Sequence, residues 1–200
     1  SHLTKKLVSE GHNVTIGGLN PESPVLELPE SVDRERIDVT DSSTLDFNNY
    51  NDVIHLVALS PLRKPAVPYA AIHIVGTKNV VEAAENSDVD TYFHMSALGA
   101  DKNGRTEYLR TKGEAEELVK NSDLDWRIFR PSVMYGEDGE FLNFLDSLTT
   151  SYITLLPMKD TKFQPLHVED TVEMISQSLE EQYSGQIFEV GGPEKLSLAE

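Results

Sequence analysis

The chain of 200 residues contains no cysteine. Disulfide bonds and thiol catalysis are therefore excluded, and the composition fits a reducing compartment. No apolar run approaches the ~18 residues that a membrane-spanning helix needs, and no basic segment followed by an apolar stretch marks a secretory signal. These absences predict a cytoplasmic protein that does not insert into a membrane.

Positive charge is scarce: 17 Lys and Arg stand against 34 Asp and Glu, for a formal net charge of −17 at pH 7. Such a chain repels the phosphates of nucleic acids and anionic lipid surfaces, so we expect neither as a partner. The acidic residues are spread along the chain rather than gathered in a tail. Two explanations stay open: adaptation to high salt, which screens self-repulsion, and ordinary acidity that aids solubility.

Strand-like and helix-like segments alternate along most of the chain, which has no internal repeat. Gly11 is placed to end the first helix, and Asp170 to cap the last. Such alternation is typical of an α/β fold, a doubly wound parallel sheet with helices on both faces. The pattern predicts strands at 13–16, 36–40, 52–58, 91–96, 126–129 and 187–190 and helices at 3–8, 75–86, 107–120, 140–148 and 170–179.

The most informative motif is Tyr108-Leu109-Arg110-Thr111-Lys112, which places a Tyr and a Lys on one face of a helix. The Lys112 ammonium near the phenol would lower the pKa of Tyr108 from its usual value of ~10. Ser96, at the end of a strand, would orient a substrate oxygen against that phenol. The three side chains together suit proton transfer in alcohol–carbonyl chemistry, although an exposed, charged helix face would show the same spacing.

The histidines show no spacing typical of metal ligands, and no cysteine supports a metal site, so no bound metal is expected. Most of them are expected to be structural, and His73 is the one expected to line a cleft. The six positions are His2, His12, His55, His73, His94 and His167.

Several segments follow one another in the order and spacing of a known family. They are Asp38-Val39-Thr40-Asp41, the strand Val53 to Ala58, Gly76-Thr77-Lys78-Asn79-Val80, Arg130-Pro131-Ser132-Val133-Met134-Tyr135-Gly136 and His167-Val168-Glu169-Asp170. With Ser96, Tyr108 and Lys112, they resemble the extended and atypical short-chain dehydrogenase/reductases, Rossmann-fold proteins related to nucleotide-sugar epimerases. Three segments are most similar to the branch that includes the nucleotide-binding accessory subunit of respiratory complex I: Tyr108 to Lys112, Arg130-Pro131-Ser132 and Gly139-Glu140-Phe141-Leu142-Asn143.

The resemblance implies a Rossmann-type sheet whose first strand and glycine-rich loop would precede Ser1. We therefore expect residues 1–135 to be a dinucleotide-binding region truncated at its N-terminus. Residues 136–200 would be a mixed segment, truncated at its C-terminus, that contributes to a partial substrate region and to the last strands of the sheet. Ser197-Leu198-Ala199-Glu200 has the pattern of a capping box that begins a further helix.

The resemblance also implies which residues serve the site. Ser96, Tyr108 and Lys112 are the expected catalytic residues, and Lys112 would also hydrogen-bond the nicotinamide ribose. The residues expected to bind the cofactor are Asp38, Val39, Leu56, Val57, Ala58, Thr77, Met95, Ser96, Tyr108, Lys112, Pro131, Ser132 and Val133. Structural alternatives exist for Asp38 as a turn-capping carboxylate, for Thr77 as a helix-start residue and for Pro131 as the end of a strand.

The expected cofactor is NAD or NADP, and the resemblance favours NADP. Residues 17–20, Gly-Gly-Leu-Asn, offer neither the acidic group that binds the ribose of NAD nor the basic group that receives the 2′-phosphate of NADP. The preference between the two therefore stays open at this stage.

Three functions fit these expectations, with an enzyme favoured over a binding protein. The first is NAD(P)-dependent oxidoreductase or epimerase-type chemistry on an unidentified alcohol or carbonyl compound, with Tyr108 moving the proton. The alternative is a non-catalytic NADPH-binding accessory or assembly subunit, attached peripherally to a respiratory complex. A redox-sensing regulator that binds the cofactor and releases a partner is a third alternative. Helices 75–86 and 107–120 could form a homodimer interface, as in many relatives.

Overall fold

The computed structural model describes residues 2–23, 27–137, 139–149 and 162–197. Its α-helices are α1 (His2–Ser9), α2 (Thr77–Glu85), α3 (Glu107–Lys120), α4 (Glu140–Thr149) and α5 (Val168–Ser178). Its strands are β1 (Thr15–Gly18), β2 (Asp33–Arg36), β3 (Asp52–His55), β4 (Thr91–Met95), β5 (Trp126–Pro131), β6 (Met134–Tyr135), β7 (Lys162–Phe163), β8 (Leu166–His167), β9 (Gln186–Val190) and β10 (Leu196–Ser197). A π-helix spans Ala71–Gly76, and 3₁₀ turns span Ser42–Thr44 and Glu181–Tyr183.

A four-stranded parallel sheet in the order β3-β4-β5-β9 forms the centre of the fold. Side chains alternate across β4, so that Tyr92 packs on the side of α2 and α3, whereas Phe93 packs on the side of α1 and α5. Ile128 and Phe129 repeat this division on β5. Helices therefore cover both faces of the sheet, and the predicted doubly wound α/β fold is confirmed.

The strands β1 and β2 form a separate parallel pair. Between this pair and β3 lies a cavity of about 130 Å³, and Tyr50 reaches across toward β2, donating a hydrogen bond of 2.9 Å to the carboxylate of Glu35. The cavity is lined on one side by Thr15 and Gly17 and on the other by Val53 and Ile54. The smaller sheets, β6–β8 and β7–β10, lie in the C-terminal third of the chain.

Most of the predicted elements are present, with shifted ends. Gly11 takes a left-handed φ of 93° just after α1, as predicted for a residue that ends a helix. The predicted strand at 36–40 is wrong: the strand ends at Arg36, because the carboxylate of Asp38 accepts hydrogen bonds from the amide and hydroxyl of Thr40 and turns the chain. The predicted strand at 52–58 ends at His55, and the residues after it form a loop.

Three further boundaries differ from the sequence prediction. The helix predicted at 75–86 is preceded by the π-helix from Ala71. β5 continues through Pro131. The carbonyl oxygen of Pro131 accepts a hydrogen bond from the amide of Leu98, and this pairing does not require the N–H that proline lacks. The cap of α5 is His167, whose ring nitrogen accepts from the amide of Glu169, rather than Asp170. The helix start predicted at 197–200 falls mostly outside the described residues.

The domain division at residue 135 stays a prediction, although β9 from the later segment completes the central sheet. None of the helices within the described ranges is long and apolar enough to cross a bilayer.

Candidate functional site

A cleft of about 1390 Å³ opens at the carboxyl ends of β3, β4 and β5. In open α/β sheets this edge is where ligands bind. The cleft brings together nine of the residues predicted from the sequence: Leu56, Ala58, Met95, Ser96, Tyr108, Lys112, Pro131, Ser132 and Val133. Segments from beyond residue 135, including Phe141 and Phe163, close its far side.

Lys112 lies on the buried face of α3 with only 1% of its surface exposed. Its ammonium donates a hydrogen bond of 2.8 Å to the carbonyl oxygen of Met95, at the end of β4. Burial lowers the pKa of Lys112 to about 8, because desolvation disfavours the charged form, and the nearby carboxylate of Glu116 partly offsets this effect. The side chain is thus a fixed donor at the wall of the cleft.

Tyr108 lies one helical turn before Lys112 and also lines the cleft. Its ring makes edge contacts with Tyr69 and His73, at centroid distances of 5.7 and 5.5 Å. Burial, followed by the influence of Tyr69, raises the pKa of Tyr108 to about 12, in the direction opposite to the expected effect of Lys112. At neutral pH the phenol therefore keeps its proton and can donate a hydrogen bond.

Ser96 follows β4 and is 4% exposed. Its hydroxyl donates to the carboxylate of Glu116, which is 1% exposed. The same carboxylate accepts two hydrogen bonds from Arg130, from Nε at 2.8 Å and from Nη2 at 2.6 Å. The remaining guanidinium nitrogen of Arg130, Nη1, donates to Glu189 at 2.9 Å.

Glu116 was not among the residues predicted from the sequence, although a signal was present. It lies four residues after Lys112, as Lys112 lies four after Tyr108, so all three occupy one face of α3. In the sequence it stood between two other acidic residues and resembled part of a solvated acidic face.

His73 connects the loop after β3 to α3. Its Nε2 accepts from the amide of Leu59 at 3.0 Å, so Nδ1 carries the proton and donates to the hydroxyl of Thr111 at 2.9 Å. Burial, followed by the positive charge of Lys112, lowers the pKa of His73 to about 4. This neutral histidine is buried and supports the ring of Tyr108; it is not among the residues that line the cleft.

The four remaining predicted residues lie outside the cleft. Val39 and Val57 line the smaller cavity beside β3. Thr77 is buried at the start of α2, and its amide bonds to the carbonyl of Ile74. Asp38 forms the turn with Thr40, whose hydrogen bonds lower the pKa of its carboxyl. Binding roles for these four stay predictions.

The residues of the cleft fit the nicotinamide half of a dinucleotide. Lys112 and Tyr108 offer two hydrogen-bond donors, and Ala58 contributes only a small side chain to the lining. A dinucleotide also needs backbone amides that bind its pyrophosphate, and in Rossmann folds these amides usually belong to a glycine-rich loop. No G-x-G-x-x-G pattern occurs in these 200 residues.

The fold and the cleft define a Rossmann-type nucleotide-binding protein. The chain belongs to the NAD(P)H-binding family, because the model of that family matches residues 1–151. The dinucleotide-binding class inferred from the motifs is thereby confirmed.

Curated relatives carry the names of respiratory subunits. The chain is 32% identical over 130 residues to the mitochondrial 40 kDa subunit of NADH-ubiquinone oxidoreductase of Neurospora crassa, covering 64% of this chain and 34% of that protein. It is 32% identical over 134 residues to mitochondrial NADH dehydrogenase [ubiquinone] 1 alpha subcomplex subunit 9 of Arabidopsis thaliana, covering 65% of this chain and 33% of that protein. The chain thus spans about one third of the length of these relatives.

Solved structures of enzymes in complex with NAD share the fold. UDP-glucose 4-epimerase of Thermus thermophilus in complex with NAD superposes with a TM-score of 0.79 at 18% identity, over 99% of this chain and 76% of that chain. The enzyme WbmG of Bordetella bronchiseptica in complex with NAD gives a TM-score of 0.79 at 20% identity, over 98% and 70% of the two chains. The likeness to the extended short-chain dehydrogenase/reductase fold is confirmed.

Proposed function

We propose that the protein binds NAD(P)(H) in the cleft and serves as a nucleotide-binding accessory subunit of a respiratory NADH dehydrogenase. The observation that carries the proposal is the presence of Lys112 and Tyr108 on one face of α3, in a cleft at the carboxyl ends of parallel strands. Lys112 would hold the nicotinamide ribose, and Pro131 to Val133 would lie along the nicotinamide.

Two features of the site bear on whether a bound nucleotide is turned over. The Tyr108 phenol keeps its proton at neutral pH, so alcohol oxidation lacks a base there, whereas the same phenol could protonate a carbonyl oxygen. The Ser96 hydroxyl donates its hydrogen bond to Glu116 and does not donate to a substrate carbonyl. The names of the curated relatives support assembly with a respiratory complex. We expect the protein to lie in the cytoplasm as a peripheral subunit.

NADPH is the form that we expect to bind. Arg34 donates a hydrogen bond of 2.8 Å to the carbonyl of Pro21, so a guanidinium lies beside the segment that follows β1. A basic group near this position receives the 2′-phosphate of NADP in Rossmann folds. Substituting Arg34→Leu should therefore weaken binding of NADPH more than binding of NADH.

The second candidate is an NAD(P)-dependent oxidoreductase or epimerase acting on an alcohol or carbonyl compound. It is favoured by the position of Tyr108, which lines the same cleft as Ser96 and Lys112. A bound nicotinamide would supply or accept the hydride. Tyr108 would then hold or release the proton at its phenol oxygen.

Calorimetric titration of the full-length gene product with NADPH and NADH tests the proposal. We expect binding, and we expect Lys112→Met to weaken it about tenfold or more because a charged donor is lost. Lys78→Met is the matched control, since Lys78 lies on the exposed side of α2 and pairs with Glu82. Absence of binding to both nucleotides would contradict the proposal. Co-purification with NADH dehydrogenase subunits supports the accessory role, whereas multiple turnovers of a carbonyl compound support the enzyme.

A further inference from the structure

The direction of the hydrogen bond between Ser96 and Glu116 follows from chemistry. Arg130 donates to both oxygens of the buried Glu116 carboxylate in a bidentate pair, so this carboxylate is ionised. An ionised carboxylate only accepts hydrogen bonds. Ser96 must therefore be the donor, and its proton is committed to Glu116.

A hydroxyl whose proton is committed presents only lone pairs elsewhere. Ser96 lines the cleft, so it offers a ligand an acceptor and no donor. The protonated phenol of Tyr108, on the same cleft, offers a donor. One acceptor and one donor together match a hydroxyl group, which donates once and accepts as well. A carbonyl oxygen would bond to Tyr108 but would face the Ser96 lone pairs without a partner.

We propose that the cleft recognises a hydroxyl group rather than a bare carbonyl, and that Glu116 is the positioning residue that makes Ser96 an acceptor. The inference rests on the proposed function, since it concerns the same cleft. The hydroxyl has two sources that share this chemistry: the ribose of the bound nucleotide, or a separate alcohol. The accessory role and the enzyme differ in which of these is used.

Proton NMR of the full chain without ligand tests the committed proton directly. A buried hydroxyl held by a carboxylate exchanges slowly with water, so we expect one such resonance that disappears in Ser96→Ala and in Glu116→Met, which removes the acceptor. Glu189→Gln is the matched control, because Glu189 contacts the other side of Arg130 and its side chain is 56% exposed. The resonance should persist in that variant. Absence of a slowly exchanging Ser96 hydroxyl proton in the wild-type protein would overturn the inference.

Ligand binding tests the preference and separates the two sources. The probes are NADP⁺ and a matched ring pair, cyclohexanol and cyclohexanone, titrated with and without the nucleotide. Tighter binding of cyclohexanol by about threefold or more, lost in Ser96→Ala, supports a separate alcohol. Weaker binding of NADP⁺ in Ser96→Ala, by a similar factor, supports the ribose.

Two results would overturn the preference: cyclohexanone binding as tightly as cyclohexanol, or Ser96→Ala leaving every probe unaffected. Failure of the wild-type protein to bind either nucleotide contradicts the proposed function alone. In that case the NMR experiment and the ring pair still decide the inference, because neither needs the nucleotide.

Discussion

Among single residues, Lys112 has the largest effect on the chemistry of the cleft. It is a cation 1% exposed, held by one hydrogen bond to the carbonyl of Met95. Its positive charge also contributes to the lowered pKa values of His55, His73 and His94. Because burial disfavours its charged form, Lys112 links the stability of the fold to pH in the alkaline range.

Removing Lys112 should change how stability depends on alkaline pH. Its pKa is about 8 in the folded protein and 10.5 in an unfolded chain. Between these values the unfolded state binds more protons, so this residue makes the protein more stable as the pH rises from 8 to 10.5, by on the order of 3 kcal/mol in total. Urea unfolding gives the free energies of unfolding of Lys112→Met and the wild type across this pH range. Their difference should change by on the order of 3 kcal/mol between pH 8 and pH 10.5. Lys78→Met should follow the wild-type curve, and a parallel curve for Lys112→Met would refute the expectation.

At the scale of elements, α3 is tied to two strands of the sheet through one ion-paired cluster. Glu116 on α3 is gripped by Arg130 on β5, and Arg130 also contacts Glu189 on β9. In the inner pair Glu116 is buried and the Arg130 side chain is 19% exposed, whereas the Glu189 side chain is 56% exposed. The Arg130–Glu116 pair should therefore contribute more to the free energy of unfolding than the Arg130–Glu189 pair.

Breaking the inner pair should destabilise the fold strongly. Arg130→Met leaves the buried Glu116 carboxylate without its cation, which costs about 3–5 kcal/mol. Glu189→Gln removes only the exposed partner and should cost about 0–1 kcal/mol. Denaturant unfolding at neutral pH compares the two free energies of unfolding. Equal losses in both variants would show that the buried pair has no special role.

The strands β3 and β4 carry a buried pair of histidines at register partners. The rings of His55 and His94 lie 5.4 Å apart, and His55 also bonds to the hydroxyl of Tyr92 at 2.9 Å. Neither ring nitrogen of His94 has a hydrogen-bond partner within the described part of the chain. Burial lowers the pKa of His55 to about 3 and that of His94 well below 6.5.

These histidines should make the fold sensitive to mild acid. In the unfolded chain they take up protons near pH 6.5, whereas in the folded protein they stay neutral until far lower pH, so stability falls as the pH drops below 6.5. His55 should cost about 2 kcal/mol at pH 5 relative to pH 7, and His94 should add a loss in the same direction. Unfolding of His94→Phe should show a shallower pH dependence between pH 5 and 6.5. The exposed His12→Gln variant should keep the wild-type slope, and an unchanged slope for His94→Phe would argue against the expectation.

For the whole molecule, the net charge of −17 is the dominant electrostatic property. The Debye length shortens from about 10 Å at 0.1 M salt to about 3 Å at 1 M. Repulsion between the acidic side chains is therefore weaker at high salt. We expect the melting temperature to rise by several degrees between 0.1 and 1 M NaCl. Sucrose of equal osmolality is the control for effects other than screening. A flat response to NaCl would favour ordinary acidity over adaptation to high salt.

Much of the fold could be predicted, because its signals are local. Apolar and β-branched runs and helical patterns predicted the five α-helices and the strands β1, β3, β4, β5 and β9, and Gly11 marked the end of α1. The two-residue strands β6, β7, β8 and β10 were not predicted. The prediction of a strand at 36–40 was wrong because the Asp38 carboxylate accepts hydrogen bonds from the amide and hydroxyl of Thr40. The resulting turn outweighs the strand preference of the β-branched residues. The π-helix at Ala71–Gly76 carries no sequence pattern distinct from an α-helix, so its start was missed.

The sequence alone determined the class of the protein and the residues at the centre of its cleft. The spacing of Tyr108 and Lys112 is a property of one helix, and the order of strands and helices follows from patterns within each segment. Only the tertiary structure decided which way the Ser96 proton points, because Glu116 and Arg130 reach it from different elements. It also decided the protonation of Tyr108, since burial against Tyr69 and His73 depends on contacts distant in sequence and outweighs the neighbouring lysine.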